Sequence, residues 1–99
     1  MSWANKHIQA LQMGKIVKFR PVGKSMTGKI ESGQLCTVSP DLTNLIVGDI
    51  VLCKVNGSQY IHLISSIKDG KFQVSNNKGR INGWIELKSI FGKCIKVED

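Results

Sequence analysis

Two side chains in this sequence have the chemistry of a nucleophile and its base. Ser25 lies in the polar, glycine-flanked residues 22–28, where a loop can expose a hydroxyl together with backbone N–H groups. A serine becomes a nucleophile only when a base removes its proton and donors hold the developing oxyanion. His62 lies in the otherwise apolar residues 60–64, and a histidine with a pKa of ~6.5 is a competent base at neutral pH. Taken singly, the two residues also fit a loop serine and a packed strand histidine.

The elements that position these residues are predicted from periodicity. Residues 2–13 have apolar residues near helical spacing, with Ser2 as cap and Gly14 as stop, so residues 1–14 are assigned to an N-terminal helix. His7 is expected to be solvated on that helix. From residue 15, alternation of period two predicts short strands, and Asn56-Gly57 and Asp69-Gly70 predict hairpin turns. The strands are predicted at residues 16–20, 34–38, 50–55, 59–64 with its continuation 64–67, 72–74, 84–85 and 90–97.

Six or seven short strands at this spacing predict a mostly β fold. We expect a compact antiparallel sheet or barrel with one short N-terminal helix, as a single domain over residues 1–99. A hydrophobic fraction of 41% with 21% charged residues is typical of a globular chain. No run approaches the ~18 apolar residues of a membrane span, and residues 1–14 lack the apolar region of a secretory signal.

The cysteines indicate neither a disulfide framework nor a metal site. Cys36, Cys53 and Cys94 are odd in number, and no Cys-x-x-Cys or cysteine–histidine pair has metal-ligand spacing. We therefore predict structural free thiols, no bound metal, no cofactor and a cytoplasmic protein without membrane contact.

The net charge of +7 favours contact with phosphate backbones or other anionic surfaces. The basic residues are spread along the chain without a run of five, so a solvated basic surface explains the charge as well. The candidate nucleic-acid contact is a small basic-aromatic group formed by Lys78, Arg80 and Trp84.

Several segments in order resemble one known superfamily. Gly23-Lys24-Ser25-Met26 is similar to the Gly-x-Ser-Met nucleophile box of LexA-type repressors, their mutagenesis-protein relatives and type I signal peptidases. Residues 30–38, 45–52, 72–77 and 90–93 resemble the strands that follow this box, and residues 60–64 align with the strand of the general base. His62 follows Ser25 by 37 positions, the LexA-like separation. The resemblance covers residues 20–97.

This resemblance implies the LexA C-terminal-domain and signal-peptidase fold, with Ser25 as nucleophile and His62 as base. The backbone N–H groups of Gly23, Lys24 and Ser25 would hold the oxyanion. Histidine-type relatives have an acidic residue that orients the imidazole, whereas residues 76–84 contain neither Asp nor Glu. An asparagine takes this part in some cysteine proteases, and the candidates are Asn76, Asn77 and Asn82.

A second departure from the superfamily concerns the box itself and its surroundings. Met26 is followed by Thr27-Gly28, where signal peptidases usually have a proline. Residues 1–99 show neither a membrane anchor nor a DNA-binding domain with a cleavable linker, so we expect the catalytic unit alone.

Two functions remain open from the sequence. The first is a serine peptidase with a Ser25–His62 dyad that acts on a protein substrate or on itself. The second is a catalytically inactive basic module of the same fold that contacts nucleic acid or a protein partner. The intact serine box favours the first function, whereas the missing acid and the charge favour the second.

Overall fold

The computed structural model describes residues 3–99, and across that range one α-helix precedes a sheet of seven strands. The prediction of a mostly antiparallel β fold with one short N-terminal helix is confirmed. That residues 1–99 form a single domain stays a prediction. The elements are α1 (Asn5–Gln12), β1 (Val17–Phe19), β2 (Leu35–Ser39), β3 (Ile50–Val55), β4 (Ser58–Lys68), β5 (Lys71–Ser75), β6 (Ile81–Glu86), a 3-10 turn (Leu87–Ser89) and β7 (Ile90–Glu98).

Helix α1 is shorter than predicted. It begins after Ala4, whose side chain cannot cap it, and the proposed cap Ser2 lies outside the described residues. The chain leaves the helix through Gly14, whose φ of 83° is the left-handed conformation expected of a glycine after a helix. Ile8 and Leu11 are buried, so this one amphipathic face attaches the helix to the sheet.

The prediction that His7 is solvated is wrong. Its ring stacks on Phe19 of β1 with 4.6 Å between ring centroids, and Trp3 contacts the same phenyl ring at 5.4 Å. Burial, with a smaller contribution from the charge of Lys6, lowers the pKa of His7. His7 therefore helps to attach α1 to β1.

The strands form one sheet in the order β1-β2-β7-β3-β4-β5-β6, and every neighbouring pair is antiparallel. Strands β3 to β6 are consecutive in the chain and are called the meander here. Both predicted hairpin turns are present: Asn56 and Gly57 have φ of 50° and 83°, and Asp69 and Gly70 have φ of 52° and 74°. The strand predicted at 59–64 and its continuation at 64–67 are one strand, β4, with a register irregularity between Ile64 and Ser66.

Two hydrophobic clusters lie on the two faces of β3 and β4. The first, called the N-terminal cluster, joins α1, the loop after β1, and the strands β1 and β2; it contains Ala4, Ile8, Leu11, Phe19, Met26, Ile30, Cys36, Val38, Leu52 and Ile61. The second, called the meander cluster, contains Val51, Cys53, Val55, Ile64, Phe72, Val74, Ile85 and Ile90. Because neighbouring residues of a strand point to opposite faces, β3 and β4 contribute to both clusters and join them.

Candidate active site

Ser25 lies in a turn of the loop between β1 and β2, within the polar, glycine-flanked residues 22–28. The side chain of Ser25 is exposed, whereas its neighbour Met26 is only 4% exposed and Ile30 only 3%. Both apolar side chains pack in the N-terminal cluster. Burial of these two anchors therefore holds the exposed serine at a fixed place on the surface.

Hydrogen bonds join this loop to the segment between β5 and β6. The backbone N–H of Asn77 donates to the carbonyl oxygen of Ser25 at 2.9 Å, and its side-chain Nδ2 donates to the carbonyl oxygen of Thr27 at 2.7 Å. A β-carbon at Gly28 would lie 2.9 Å from that Nδ2, and Gly28 has a φ of 99°. Glycine is therefore required for the close approach of the two loops.

His62 lies on β4 and is only 6% exposed. Its Nε2 is 3.1 Å from Ser25 Oγ, and its Nδ1 is 2.7 Å from Asn82 Oδ1 on β6. An amide oxygen only accepts hydrogen bonds, so the contact with Asn82 requires the proton on Nδ1. Nε2 is then the free acceptor for the Ser25 hydroxyl, which is the tautomer that a general base needs.

The surroundings of His62 favour its neutral form. Burial lowers the pKa of His62 below its ordinary value of 6.5, and the hydrogen bond to Asn82 opposes this shift without overcoming it. The ring of Tyr60 stacks on the imidazole with 4.7 Å between centroids. At neutral pH the imidazole is therefore unprotonated and able to accept a proton.

The three asparagines named as orienting candidates have three different positions. Only Asn82 contacts His62. Asn77 holds the serine loop, and Asn76 Oδ1 accepts the backbone N–H groups of Lys78 and Arg80 at 2.9 Å each, which orders the β5–β6 loop. The orienting part therefore belongs to Asn82, while Asn76 and Asn77 shape the loop that faces Ser25.

The three predicted oxyanion donors are not equivalent. The N–H of Gly23 donates to Ser32 Oγ at 3.3 Å, so Gly23 is engaged within its own loop. Within residues 3–99, the N–H groups of Lys24 and Ser25 have no hydrogen-bond acceptor. These two exposed donors are the ones available to a developing oxyanion.

Two cavities adjoin Ser25 and share Pro21, Val22 and Ile61 as lining residues. The larger, called the groove here, has a volume of about 360 Å³ and is lined by Trp3, Arg20, Pro21, Val22, Ser25, Gln59, Tyr60, Ile61 and His62. The smaller, about 30 Å³, is lined by Pro21, Val22, Gly23, Ser25, Met26, Ile30, Glu31, Ser32 and Ile61. The exposed nucleophile therefore borders both a wide groove and a small pocket.

One edge of β4 is open along the groove. Strand β5 pairs with β4 only from Leu63 onward, so residues 58–62 pair with β3 alone. Residues that flank a two-residue hairpin loop form a hydrogen-bonded pair, and bonded pairs then alternate along the ladder. The main-chain groups of Gln59 and Ile61 therefore point to the open edge, where an extended peptide can pair with them.

Of the residues proposed for nucleic-acid contact, Lys78 and Arg80 lie in the β5–β6 loop, which contacts the Ser25 loop through Asn77, and Trp84 lies on β6. Lys78 and Arg80 are exposed in the β5–β6 loop, and Trp84 is 46% exposed on β6 opposite Gln73. By alternation Trp84 shares its outer face with Lys71, which pairs with Glu86. The strand register therefore adds Lys71 and Glu86 to the face that carries Trp84.

The cysteine thiols are not activated, and no metal-ligating cluster is found among the described residues. Burial raises the pKa of Cys53 to about 12, and burial with a further contribution from Cys94 raises that of Cys36 to about 12. In the part of the chain that the structure describes, no three histidine, cysteine or carboxylate side chains are grouped to hold a metal. No helix there is long and apolar enough to cross a membrane.

Sequence reasoning missed three parts of the site. Tyr60 was placed on the strand but given no role, although the i, i+2 rule puts it on the face of His62. Trp3 and Arg20, which line the groove, lie just before α1 and just after β1. No local pattern brings those two side chains to the serine, because their position depends on tertiary packing.

Comparisons with known proteins agree with this geometry. The family model described as Peptidase S24-like matches residues 7–93 of the chain. The match spans most of the sequence and includes Ser25, His62 and Asn82, and it confirms the resemblance seen in the sequence. A search of curated proteins finds no match.

Proposed function

Because the chain belongs to the Peptidase S24-like family, we propose that it is a serine peptidase with a Ser25–His62 dyad acting on a polypeptide. The observation that carries the proposal is the distance of 3.1 Å between Ser25 Oγ and His62 Nε2. The contact between His62 Nδ1 and Asn82 Oδ1 supports it, because it sets the tautomer in which Nε2 accepts a proton. The roles of all these residues are part of the proposal.

The substrate docks as an extended strand along the open edge of β4. The free main-chain groups of Gln59 and Ile61 pair with the peptide, which positions a carbonyl carbon beside Ser25 Oγ. The small pocket of about 30 Å³ then accepts a side chain no larger than a few atoms. This geometry favours a small residue next to the scissile bond.

The chemistry follows acyl transfer in two steps. Ser25 Oγ attacks the carbonyl carbon while His62 Nε2 takes the hydroxyl proton, and the N–H groups of Lys24 and Ser25 stabilise the oxyanion. His62 passes the proton to the leaving amine, which breaks the peptide bond and leaves an acyl-serine. Water, deprotonated by His62, then releases the new carboxyl group and restores Ser25.

Substitution of the dyad tests this proposal. We expect Ser25→Ala and His62→Ala each to lower cleavage of a peptide library at least ~10³-fold, because the two groups act as a unit. Cleavage is measured by mass spectrometry of the library and of the protein's own chain, so that self-cleavage is also detected. The control is Ser65→Ala, which removes a hydroxyl bonded to Gln73 on the meander. Cleavage that survives in Ser25→Ala would contradict the proposal.

The proposed peptidase acts in the cytoplasm on a protein substrate or on its own chain. The free thiols support this location, since Cys36, Cys53 and Cys94 form no disulfide among the described residues. Lysine relatives need strong desolvation of their base, whereas His62 is unprotonated at neutral pH. The proposed enzyme therefore operates at cytoplasmic pH without a cofactor.

A second candidate is an anion-binding module, and the exposed Trp84 on the same face of the sheet as Lys71 is the observation that favours it. An exposed aromatic ring on the same face as a cation suits a single-stranded nucleic acid. Because each neutralised phosphate releases counterions, ~4 contacts give a slope of log K against log salt near −4 on duplex DNA and a smaller one on a single strand. Substituting Lys78 and Arg80 should flatten that slope, whereas Ser25→Ala should not. Salt-independent binding would rule this candidate out.

A further inference from the structure

The groove beside Ser25 carries a positive charge and no negative charge among its described lining residues. Among the described residues that line the groove, Arg20 is the only Lys, Arg, Asp or Glu, and the imidazole of His62 is neutral. The small pocket that also adjoins Ser25 is lined in part by Glu31, whose Oε2 accepts the N–H of Gly28 at 2.7 Å. A peptide that occupies both cavities therefore meets a cation in the groove and a carboxylate in the small pocket.

Arg20 is held in place but keeps donors free. Its Nη1 donates to the carbonyl oxygen of Gly33 at 2.8 Å, which fixes the position of the guanidinium. A guanidinium has five N–H donors in a planar fork, so the remaining ones can bind a carboxylate in two-pronged geometry. A preorganised donor loses little side-chain entropy when it binds.

The other walls of the groove are mostly apolar and are fixed by α1. Trp3, Tyr60, Pro21 and Val22 line the space around Arg20. Helix α1 is attached to β4 by the hydrogen bond from Gln59 Nε2 to Asn5 Oδ1 at 2.8 Å, and Trp3 packs on Phe19. Arg20 itself is exposed, so a carboxylate bound there forms a partly solvated ion pair.

We propose that the groove selects polypeptide substrates with an acidic side chain that enters the groove beside Arg20, and that Arg20 is the specificity-determining residue. This inference rests on the proposed peptidase function and adds its substrate class. The carboxylate binds the free donors of Arg20, while its aliphatic stem packs between Trp3 and Tyr60. In the small pocket beside Glu31, an acidic residue is disfavoured.

The first arm of the test is cleavage. Pools of capped octapeptides carry Glu, Gln or Lys at one position in turn, with the other positions mixed. We expect kcat/KM to be about five- to tenfold higher for Glu than for Gln at one position or two adjacent ones, as for a partly exposed ion pair. Arg20→Gln should remove this preference, and Arg20→Glu should turn it into a preference for Lys. The charge-matched control is Lys18→Glu, an exposed residue of β1 outside the groove, which should keep the preference for Glu.

The second arm is binding without cleavage, measured with the same pools on the Ser25→Ala/Trp84→Phe protein. Trp84→Phe leaves Trp3 as the only indole, so its emission reports occupation of the groove. Tighter binding of the Glu pools that disappears with Arg20→Gln supports the inference, even where the unsubstituted protein cleaves nothing; the peptidase function alone would then fail. Cleavage without a preference for Glu would leave the peptidase standing and overturn the inference. Equal or absent binding of all pools together with no cleavage would overturn both.

Discussion

The two parts of the sheet differ in how the chain builds them, and the candidate site joins them. The meander consists of consecutive strands linked by short turns, so its contacts are local in sequence. The other part pairs distant segments, as where Leu35 of β2 lies opposite Glu98 of β7. His62 and Asn82 belong to the meander, whereas Ser25 lies in the loop attached to the N-terminal cluster.

The comparison indicates that the proposed base His62 and the proposed nucleophile Ser25 are held in place by different interactions. His62 is fixed by a strand that is buried on both faces, and its partner Asn82 lies on the same meander. Ser25 is exposed and owes its position to Met26, to Ile30 and to the bonds from Asn77. The Ser25–His62 distance is therefore set where the two parts meet, and substitutions in the two parts should have different effects.

The largest expected effect comes from removing one buried anchor in each part. Met26→Ala and Ile85→Ala should each lower the free energy of unfolding by about 2–5 kcal/mol, because each leaves a cavity. Only Met26→Ala should also lower kcat/KM at a temperature where both variants are folded, since only Met26 adjoins the nucleophile. Urea denaturation and peptide cleavage measure the two quantities. Equal losses of activity in the two variants would remove the distinction between the parts.

A substitution within the meander, Asn82→Asp, should change how kcat/KM depends on pH. Asn82→Asp places a carboxylate on His62 Nδ1 and should raise the pKa of His62 by ~1 unit, equivalent to ~1.4 kcal/mol. Activity of the unsubstituted protein should fall only below pH 6.5, because burial lowers the pKa of its base. The acidic limb of kcat/KM should move to higher pH in the Asp variant, and a pH profile of cleavage measures this. An unchanged limb would show that His62 is not the titrating base.

Stability should depend on pH in a related way. In the unsubstituted protein the unfolded state binds the His62 proton more readily, so the contribution of His62 is complete above pH 6.5 and is lost as pH falls below it. In Asn82→Asp the folded-state pKa of His62 is higher, so acidification below pH 6.5 should destabilise the variant less. Thermal unfolding between pH 5 and 8 tests this, with His7→Gln as the background, because burial also lowers the pKa of His7.

The smallest expected effect is at the contact between the two parts. Asn77→Ala removes the bond to the Thr27 carbonyl but keeps the backbone bond to Ser25, so unfolding should become easier by about 1 kcal/mol. Cleavage should fall about tenfold, because a looser loop misplaces Oγ relative to Nε2. The control Ser65→Ala removes a similar exposed bond away from the site. Loss of stability without loss of activity would show that the backbone bond alone positions the loop.

Local patterns predicted the features that depend on few residues. The two hairpins follow from Asn-Gly and Asp-Gly, and the order β3-β4-β5 within the meander follows from those turns. The Ser25–His62 pair came from the resemblance, since neither residue is distinctive alone. The choice of Asn82 among three asparagines was out of reach, because it depends on a register shift between Val74 and Ser75 that no sequence pattern indicates. His7 was misjudged because its burial is due to Phe19 and Trp3, which only the packed helix brings close.

Alkylation of the buried cysteines can report when the structure around them opens. With pKa values raised to about 12, Cys36 and Cys53 have only about one thiol in 10⁵ ionised at neutral pH, and the thiolate is the reactive species. Alkylation must therefore wait for the surrounding structure to open. Cys36 belongs to the N-terminal cluster and Cys53 to the meander cluster. The labelling rates at these two sites consequently time the exposure of each cluster separately, without any introduced probe.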